Sequence, residues 1–283
     1  MRNDSDYFVL NNGVNIPCIG FGTWKIPEDG AVQNTVKYAL ECGYRHIDTA
    51  AIYKNETGIG QALKETNISR NEIFVTSKVW NTDRGYENTL RAFEKSMARL
   101  QLEVLDLYLI HWPMAKGSKE AWQAINHDTW RALEKLYEEK RVRAIGVSNF
   151  LLHHLEPLVE KANILPMVNQ VEYHPGSLWP DTVAYCQENN ILVEAWSPLG
   201  SGKLLEHTLL KELAEKYSKS VAQICLRFCL QNNVLPLPKS ATDARIAENL
   251  RVFDFAISEE DMERLQAVPA FSCSGLHPDT VEF

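Results

Sequence analysis

Eight short apolar runs, each followed by a segment of helical period, constrain this chain more than any other feature of its sequence. The runs are Ile19 to Phe21, Arg45 to Asp48, Ile73 to Lys78, Leu105 to His111, Val142 to Ser148, Val168 to Val171, Ile191 to Ala195 and Val234 to Leu237. Their lengths suit buried strands. Between them apolar residues stand three and four apart, as in Val32, Val36, Ala39 and Leu40, in Leu90, Phe93, Met97 and Leu100, and in Trp130, Leu133, Leu136 and Tyr137. That spacing gives a helix one apolar stripe, which must be buried against a sheet. Strand then helix, eight times over, predicts an α/β protein with the (β/α)8 TIM-barrel fold.

The 283 residues are enough for one such barrel, and no linker, repeat or low-complexity tract divides them, so 1–283 reads as a single domain. Ahead of the first run, Tyr7 to Leu10 and Val14 to Ile16 flank Asn11-Asn-Gly13, where glycine supplies the positive φ of a tight turn. A β-hairpin plug at the N-terminal mouth is expected. Near the other end, Ser258 followed by Glu259, Glu260 and Asp261 marks the start of an extra C-terminal helix, with a tail of roughly 14 residues after it.

Charge and cysteine usage exclude several functions. Lys and Arg total 29 against 37 Asp and Glu, a net charge of −8 that disfavours nucleic acid. Residues 1–8 carry acids where a secretion signal needs a basic and then an apolar stretch, and no run reaches the roughly 18 apolar residues of a membrane span. The expected location is the cytoplasm, with no membrane partner, and the expected state a monomer or weak dimer. The six cysteines include no C-x-x-C and read as free thiols. Cys225 and Cys229 share a helical face with Val221, Ile224 and Phe228, which makes them core residues rather than a metal pair. The glycosylation sequons at Asn55 and Asn67 have no use without secretion.

Two other enzyme folds fit poorly. A dinucleotide-binding Rossmann unit needs three glycines at its first turn, and Gly20-Phe-Gly22, Gly58-Ile-Gly60 and Gly200-Ser-Gly202 all lack the third. Around Ser148, Phe150 replaces the second glycine of a nucleophile elbow.

In a (β/α)8 barrel, catalytic groups stand at the C-terminal ends of the strands. Here those ends carry, in order, Thr23-Trp24, Asp48, Lys78, His111, Ser148-Asn149, Gln170 with Glu172, Trp196-Ser197, and Lys239-Ser240. An isolated buried charge costs several kcal/mol, so Lys78 is expected to pair with Asp48. Tyr53, five residues past Asp48, would then lie beside the ammonium, which would lower its pKa from about 10 and make it a general acid. His111 would orient a carbonyl next to the phenol. Taken singly, the aspartate reads as a helix cap, the tyrosine as a half-buried core residue and the histidine as a hydrogen-bonded core group. Taken jointly, they read as a catalytic set.

The sequence resembles the aldo-keto reductase family nearly end to end. The resemblance rests on Gly43-Tyr-Arg-His-Ile-Asp-Thr-Ala50 with Glu56 and Ile59-Gly60, Lys78 after Phe74-Val-Thr-Ser, Leu109-Ile-His-Trp-Pro113, Gly146-Val-Ser-Asn-Phe150, Asn169-Gln-Val-Glu-Tyr-His-Pro175, and Lys239-Ser240 with Arg245-Ile-Ala-Glu-Asn249. It implies an NADP-dependent oxidoreductase acting on CH-OH groups, in which NADPH gives hydride to an aldehyde or ketone and Tyr53 protonates the oxygen, with Asp48, Lys78 and His111 beside it. It further implies that Ser148, Asn149 and Gln170 bind the nicotinamide carboxamide and that Trp196 stacks on the ring. Lys239, Ser240 and Arg245 would hold the 2′-phosphate, and Glu248 and Asn249 would contact adenine. Gly22, Thr23, Trp24, Ser197, Leu199 and Gly200 complete the implied cofactor contacts, and no metal is implied.

Trp24, Trp80 and Trp112 each follow a strand end and are expected to wall the substrate pocket. The tail Cys273 to Phe283 and the Pro198 to His207 loop are short, as in the compact microbial branch that is similar to diketogluconate and methylglyoxal reductases, which implies an open pocket for a small carbonyl substrate. His153, His154 and His207 read as surface residues without a role. Two alternatives stand beside this reading: a nucleotide-binding regulatory or structural barrel without turnover, and a metal-dependent barrel hydrolase, for which only His111 and His174 come near.

Overall fold

The computed structural model describes residues 6–117 and 119–283. Residues 1–5, on which the reading of the N-terminus partly rests, lie outside that range. Strands β1 (Tyr7–Val9) and β2 (Asn15–Pro17) form the expected antiparallel hairpin, in register at Phe8 and Ile16. Its turn holds Gly13 at φ 82°, and Asn11 and Asn12 donate side-chain hydrogen bonds to the carbonyls of Pro166 and Arg143. Both carbonyls belong to the N-terminal side of the barrel, so the hairpin covers that mouth.

Eight parallel strands follow: β3 (Phe21–Gly22), β4 (His46–Asp48), β5 (Phe74–Val79), β6 (Leu105–Ile110), β7 (Val142–Ser148), β8 (Val168–Glu172), β9 (Leu192–Trp196) and β10 (Val234–Leu237). Each pairs with its neighbour in sequence order. The amides of Gly20 and Gly22 donate to the carbonyls of Pro236 and Pro238 at 3.0 and 2.9 Å, which joins the first barrel strand to the last. All eight sequence runs correspond to strands. Burial on both faces explains why they read as unbroken apolar runs rather than alternating ones.

The connectors are helical: α1 (Ala31–Cys42), α2 (Glu56–Glu65), α3 (Tyr86–Leu100), α4 (Trp122–Glu138), α5 (Leu152–Lys161) and α6 (Pro180–Glu188), then two between β9 and β10, α7 (Thr208–Tyr217) and α8 (Val221–Gln231). Their inward stripes are the predicted ones, for example Val32, Val36, Ala39 and Leu40 on α1. Gly146 on β7 is required by contact, since a Cβ there would lie 2.5 Å from the carbonyl oxygen of Val168. Cys225 and Cys229 are fully buried on α8, as their spacing implied. After the barrel come α9 (Asp243–Asn249) and α10 (Glu259–Gln266), whose first turn is capped by Ser258 Oγ accepting from the Asp261 amide. The tail then runs back across the C-terminal mouth.

Candidate active site

The first polar group at that mouth is Asp48, the last residue of β4. Lys78, on β5, sends its ammonium to both Asp48 carboxylate oxygens at 2.8 Å and to the Thr49 carbonyl at 2.9 Å. Those bonds use all three of its hydrogens, and the side chain is fully buried. Burial alone would lower the Lys78 pKa, but Asp48, Tyr53 and Glu194 outweigh it, so the lysine stays a cation. Its ammonium lies 5.3 Å from the centre of the Tyr53 ring, and that ring meets His111 edge to face at 5.8 Å between centres. The four predicted groups therefore converge on one spot.

Burial pushes Tyr53 up, and although Lys78 opposes this, the phenol ends above its ordinary value rather than below it. This corrects the expected lowering: Asp48 neutralises much of the ammonium, so desolvation wins. His111 is driven well below the usual imidazole range by burial and by Lys78, so it is neutral at physiological pH. Its Nδ1 is buried with no hydrogen-bond partner among the described residues.

On the neighbouring strands Ser148, Asn149, Gln170 and Trp196 form one linked set. Asn149 Nδ2 donates to the His111 carbonyl and to Ser148 Oγ, Trp196 Nε1 donates to Asn149 Oδ1, and Ser148 Oγ donates to the Gln170 carbonyl. Asn149 holds this position at φ 63°, a left-handed conformation that asparagine tolerates. The donors are thus spent internally, and what the set has left to offer is acceptors. That suits the N–H groups of a primary carboxamide.

At the end of β10, Lys239 and Arg245 are exposed and pair with no acid among the described residues. Burial and the nearby Lys25 lower the Lys239 pKa. Two neighbouring cations, Lys25 and Lys239, fit an anion such as a phosphate. Lys25 was missed in the sequence, where nothing but its place after a strand end marks it. Ser240 is buried, its hydroxyl accepting from the Thr242 amide, while Glu248 is half-buried and Asn249 buried on α9. Ser197, Leu199 and Gly200 begin the segment after β9, where Ser197 Oγ lies 3.3 Å from Ser201 Oγ.

Thr23 is fully buried and its hydroxyl donates to the Asp48 carbonyl, while the Gly22 amide donates to the Pro238 carbonyl. Trp24 is 47% exposed beneath the Lys25 ammonium, whereas the other aromatic groups at this mouth form a buried cluster. That cluster comprises Trp112, Met114 and Val281, with Trp80, Trp122 and Trp196 packed on it. Phe283 stacks on Trp80 and meets Trp112 edge to face, so the tail packs over two of the tryptophans expected to wall the pocket. Shortness did not decide this, because Glu172 anchors the tail.

The Glu172 carboxylate accepts from His174, from the Cys273 amide at 2.6 Å, and from the hydroxyls of Ser272 and Ser274. Burial would raise its pKa, yet these donors hold it down at about 2. Glu172, His174 and Cys273 lie close enough to hold a metal, but the carboxylate is already engaged by the tail, and His111 takes no part in the group. His154 is also buried, contrary to its surface reading: its Nδ1 accepts from the Leu151 amide at the start of α5, and burial with His153 lowers it to about 4. Asn55 is buried too, bonded to Thr49, Thr23 and Ile26, so its sequon is inaccessible.

A closed barrel with a tyrosine, a buried lysine–aspartate pair and a neutral histidine at its C-terminal mouth defines an oxidoreductase of carbonyl groups. The Aldo/keto reductase family model matches residues 18–270, and the chain belongs to that family. It is 51% identical over 278 residues to the glyoxal reductase of Bacillus subtilis (strain 168), covering 98% of each chain. It is 48% identical to the 9,11-endoperoxide prostaglandin H2 reductase of Trypanosoma cruzi (strain CL Brener), covering 95% of this chain and 94% of that one. Among solved structures, MGS-M4, an aldo-keto reductase from a Medee basin deep-sea metagenome library, superposes with a TM-score of 0.92 at 46% identity, covering 98% of this chain and all of the other. A Gox0644 mutant in complex with NADPH gives 0.90 at 39% identity, covering 98% and 99%. The protein is an NADP-dependent aldo-keto reductase.

Proposed function

We propose that this protein reduces small aldehydes and ketones, with dicarbonyls of the glyoxal type as the favoured class, and that Tyr53 is the proton donor. The observation that carries the reading is the bidentate Lys78–Asp48 pair, buried against Tyr53 and beside a neutral His111. When bound, NADPH supplies hydride to the carbonyl carbon. Tyr53 gives its proton to the carbonyl oxygen, and the fixed charge of Lys78 stabilises the phenolate left behind. Asp48 keeps that lysine charged and in place. His111, neutral and with Nδ1 facing protein, offers its other ring nitrogen to the same oxygen and orients it.

Gln170, Ser148 and Asn149 present acceptors to the carboxamide of the nicotinamide, and Trp196, tied to Asn149, gives the ring a flat neighbour. Lys239, Ser240 and Arg245 hold the 2′-phosphate, which suits a planar guanidinium and a point charge. Glu248 and Asn249 contact adenine, and Ser197, Leu199 and Gly200 cover the pyrophosphate. Phe283 packs on Trp80 and Trp112, which favours a compact substrate, and the glyoxal reductase relative favours the same class. The chain acts as one catalytic domain. Its six free thiols suit the cytoplasm, where the NADPH pool is kept reduced.

The test is oxidation of NADPH, followed by its absorbance, with glyoxal, methylglyoxal, a diketogluconate and a nitrobenzaldehyde, run beside Tyr53→Phe. The expected result is turnover fastest with the small dicarbonyls, falling roughly 10²- to 10⁴-fold in the variant while NADPH still binds. NADPH binding without turnover in the wild type would instead support a nucleotide-binding barrel.

A further inference from the structure

Glu194 is a carboxyl group within the barrel to which the proposed reaction gives no task. It lies on β9, two residues before Trp196, and is fully buried. The Gln170 side-chain nitrogen donates to Asp48 Oδ2 at 2.9 Å and to Glu194 Oε2 at 2.8 Å. Both amide hydrogens are thereby used. Asp48, an ionised acceptor, fixes which end of the amide faces inward, and Glu194 fixes the plane in which it lies. The amide oxygen of Gln170 is consequently turned away, with no donor among the described residues.

We propose that Glu194 is a positioning residue that holds the Gln170 side chain so that its oxygen is presented to the primary carboxamide of the nicotinamide. The proposal rests on the reading that Gln170 receives that carboxamide. Glu194 is suited to the task because it accepts a hydrogen bond without adding a second anion beside Asp48. Burial and Asp48 push its pKa up to about 8, against the opposing pull of Gln170 and Lys78, so at neutral pH the group is mostly the uncharged acid. The charged groups that face it are Asp48 on β4 and Lys78 on β5, while β8 offers Gln170 and β10 places Leu235 in register beside it. A hydrophobic residue would fill the space, but it would leave one amide hydrogen of Gln170 unpaired and the side chain free to rotate.

The test compares two ligands of the whole enzyme, NADPH and adenosine 2′,5′-bisphosphate, which shares the adenine and 2′-phosphate but has no carboxamide. Dissociation constants are read from quenching of tryptophan fluorescence for wild type, Glu194→Leu, Glu194→Gln and Gln170→Ala. Glu194→Leu is expected to weaken NADPH about tenfold, as for loss of one well-placed hydrogen bond, and to leave the bisphosphate unchanged. Glu194→Gln, which still offers an acceptor oxygen, restores NADPH binding to within about twofold. Equal weakening of both ligands, or failure of Glu194→Gln to restore binding, would mean a structural role only and overturn the proposal. If Glu194→Leu does not fold, Glu194→Thr takes its place, since its short side chain cannot reach Gln170. Gln170→Ala separates the two readings: if it leaves NADPH affinity unchanged, Gln170 does not receive the carboxamide and the underlying assignment fails; if it weakens NADPH while the Glu194 variants do not, only the role of Glu194 fails.

Discussion

Phe283 lies face to face with Trp80, their ring centres 5.3 Å apart and their planes 21° from parallel. The same ring meets Trp112 edge to face at 5.5 Å, and Trp80 in turn meets His111 at 5.1 Å. The tail therefore reaches His111 through one aromatic layer. Replacing Phe283 by Ala removes a contact worth roughly 0.5–1.5 kcal/mol beyond its buried area, so the KM for glyoxal should rise about two- to tenfold. A nitrobenzaldehyde should lose less, or gain, because the cleared space admits its ring. Steady-state kinetics on both substrates check this, and an unchanged ratio of the two kcat/KM values would refute the tail as a wall of the pocket.

Lys78 and Asp48 stabilise each other only as a pair. Lys78→Met leaves a buried carboxylate without its partner, at a cost of roughly 3–5 kcal/mol, and should lower the melting temperature by several degrees while removing activity. The double variant Asp48→Leu with Lys78→Met removes both charges and should recover most of the lost stability, yet stay inactive. Calorimetry alongside NADPH oxidation distinguishes these effects; recovery of activity in the double variant would contradict the role of Lys78.

Arg245 is exposed and has no acidic partner among the described residues, so its removal should cost little stability. Arg245→Ala should raise the KM for NADPH about 10- to 100-fold through loss of a charge-assisted contact, with the KM for NADH unchanged. Parallel titrations with the two nucleotides measure the ratio. Equal losses for both would place Arg245 away from the 2′-phosphate.

Glu172 gives the tail anchor a pH signature. Its carboxyl is held at about 2 in the folded protein against an ordinary value of about 4.3, so its contribution is fully present above the ordinary value and is lost as pH falls towards 2. Glu172→Gln should lower the melting temperature at neutral pH, and the gap to wild type should close between about pH 4 and pH 2. A gap that stays constant over that range would show that the hydrogen bonds alone, not the charge, hold the tail.

Much of the molecule was legible in the sequence because its signals are local. A strand buried on both faces must be apolar along its whole length, and a helix laid on a barrel must be apolar along one stripe, so both periods are written into consecutive residues. Asp48, Lys78 and His111 were legible for a related reason: a charged or polar group at the end of an apolar run has no packing purpose. Glu194 escaped notice because a single acid inside an apolar run carries no periodic mark, and only the approach of Gln170 and Asp48 from other strands gives it partners. Lys25 escaped for a similar reason, since an exposed lysine looks ordinary until Lys239 is found near it.

The sequence by itself determined the barrel, the order of its strands and the identity of the groups at its mouth, since each depends on what one run of residues buries and where that run stops. Only the tertiary structure decided the energetics and shape of the site. Tyr53 ends above its ordinary pKa because burial outweighs a lysine already neutralised by Asp48, a balance of distances that no spacing records. Phe283 lies over Trp80, and nine residues or more before it Glu172 holds the tail through donors about a hundred positions further along the chain than itself. Charges and rings act through space, and the folded chain alone sets those separations.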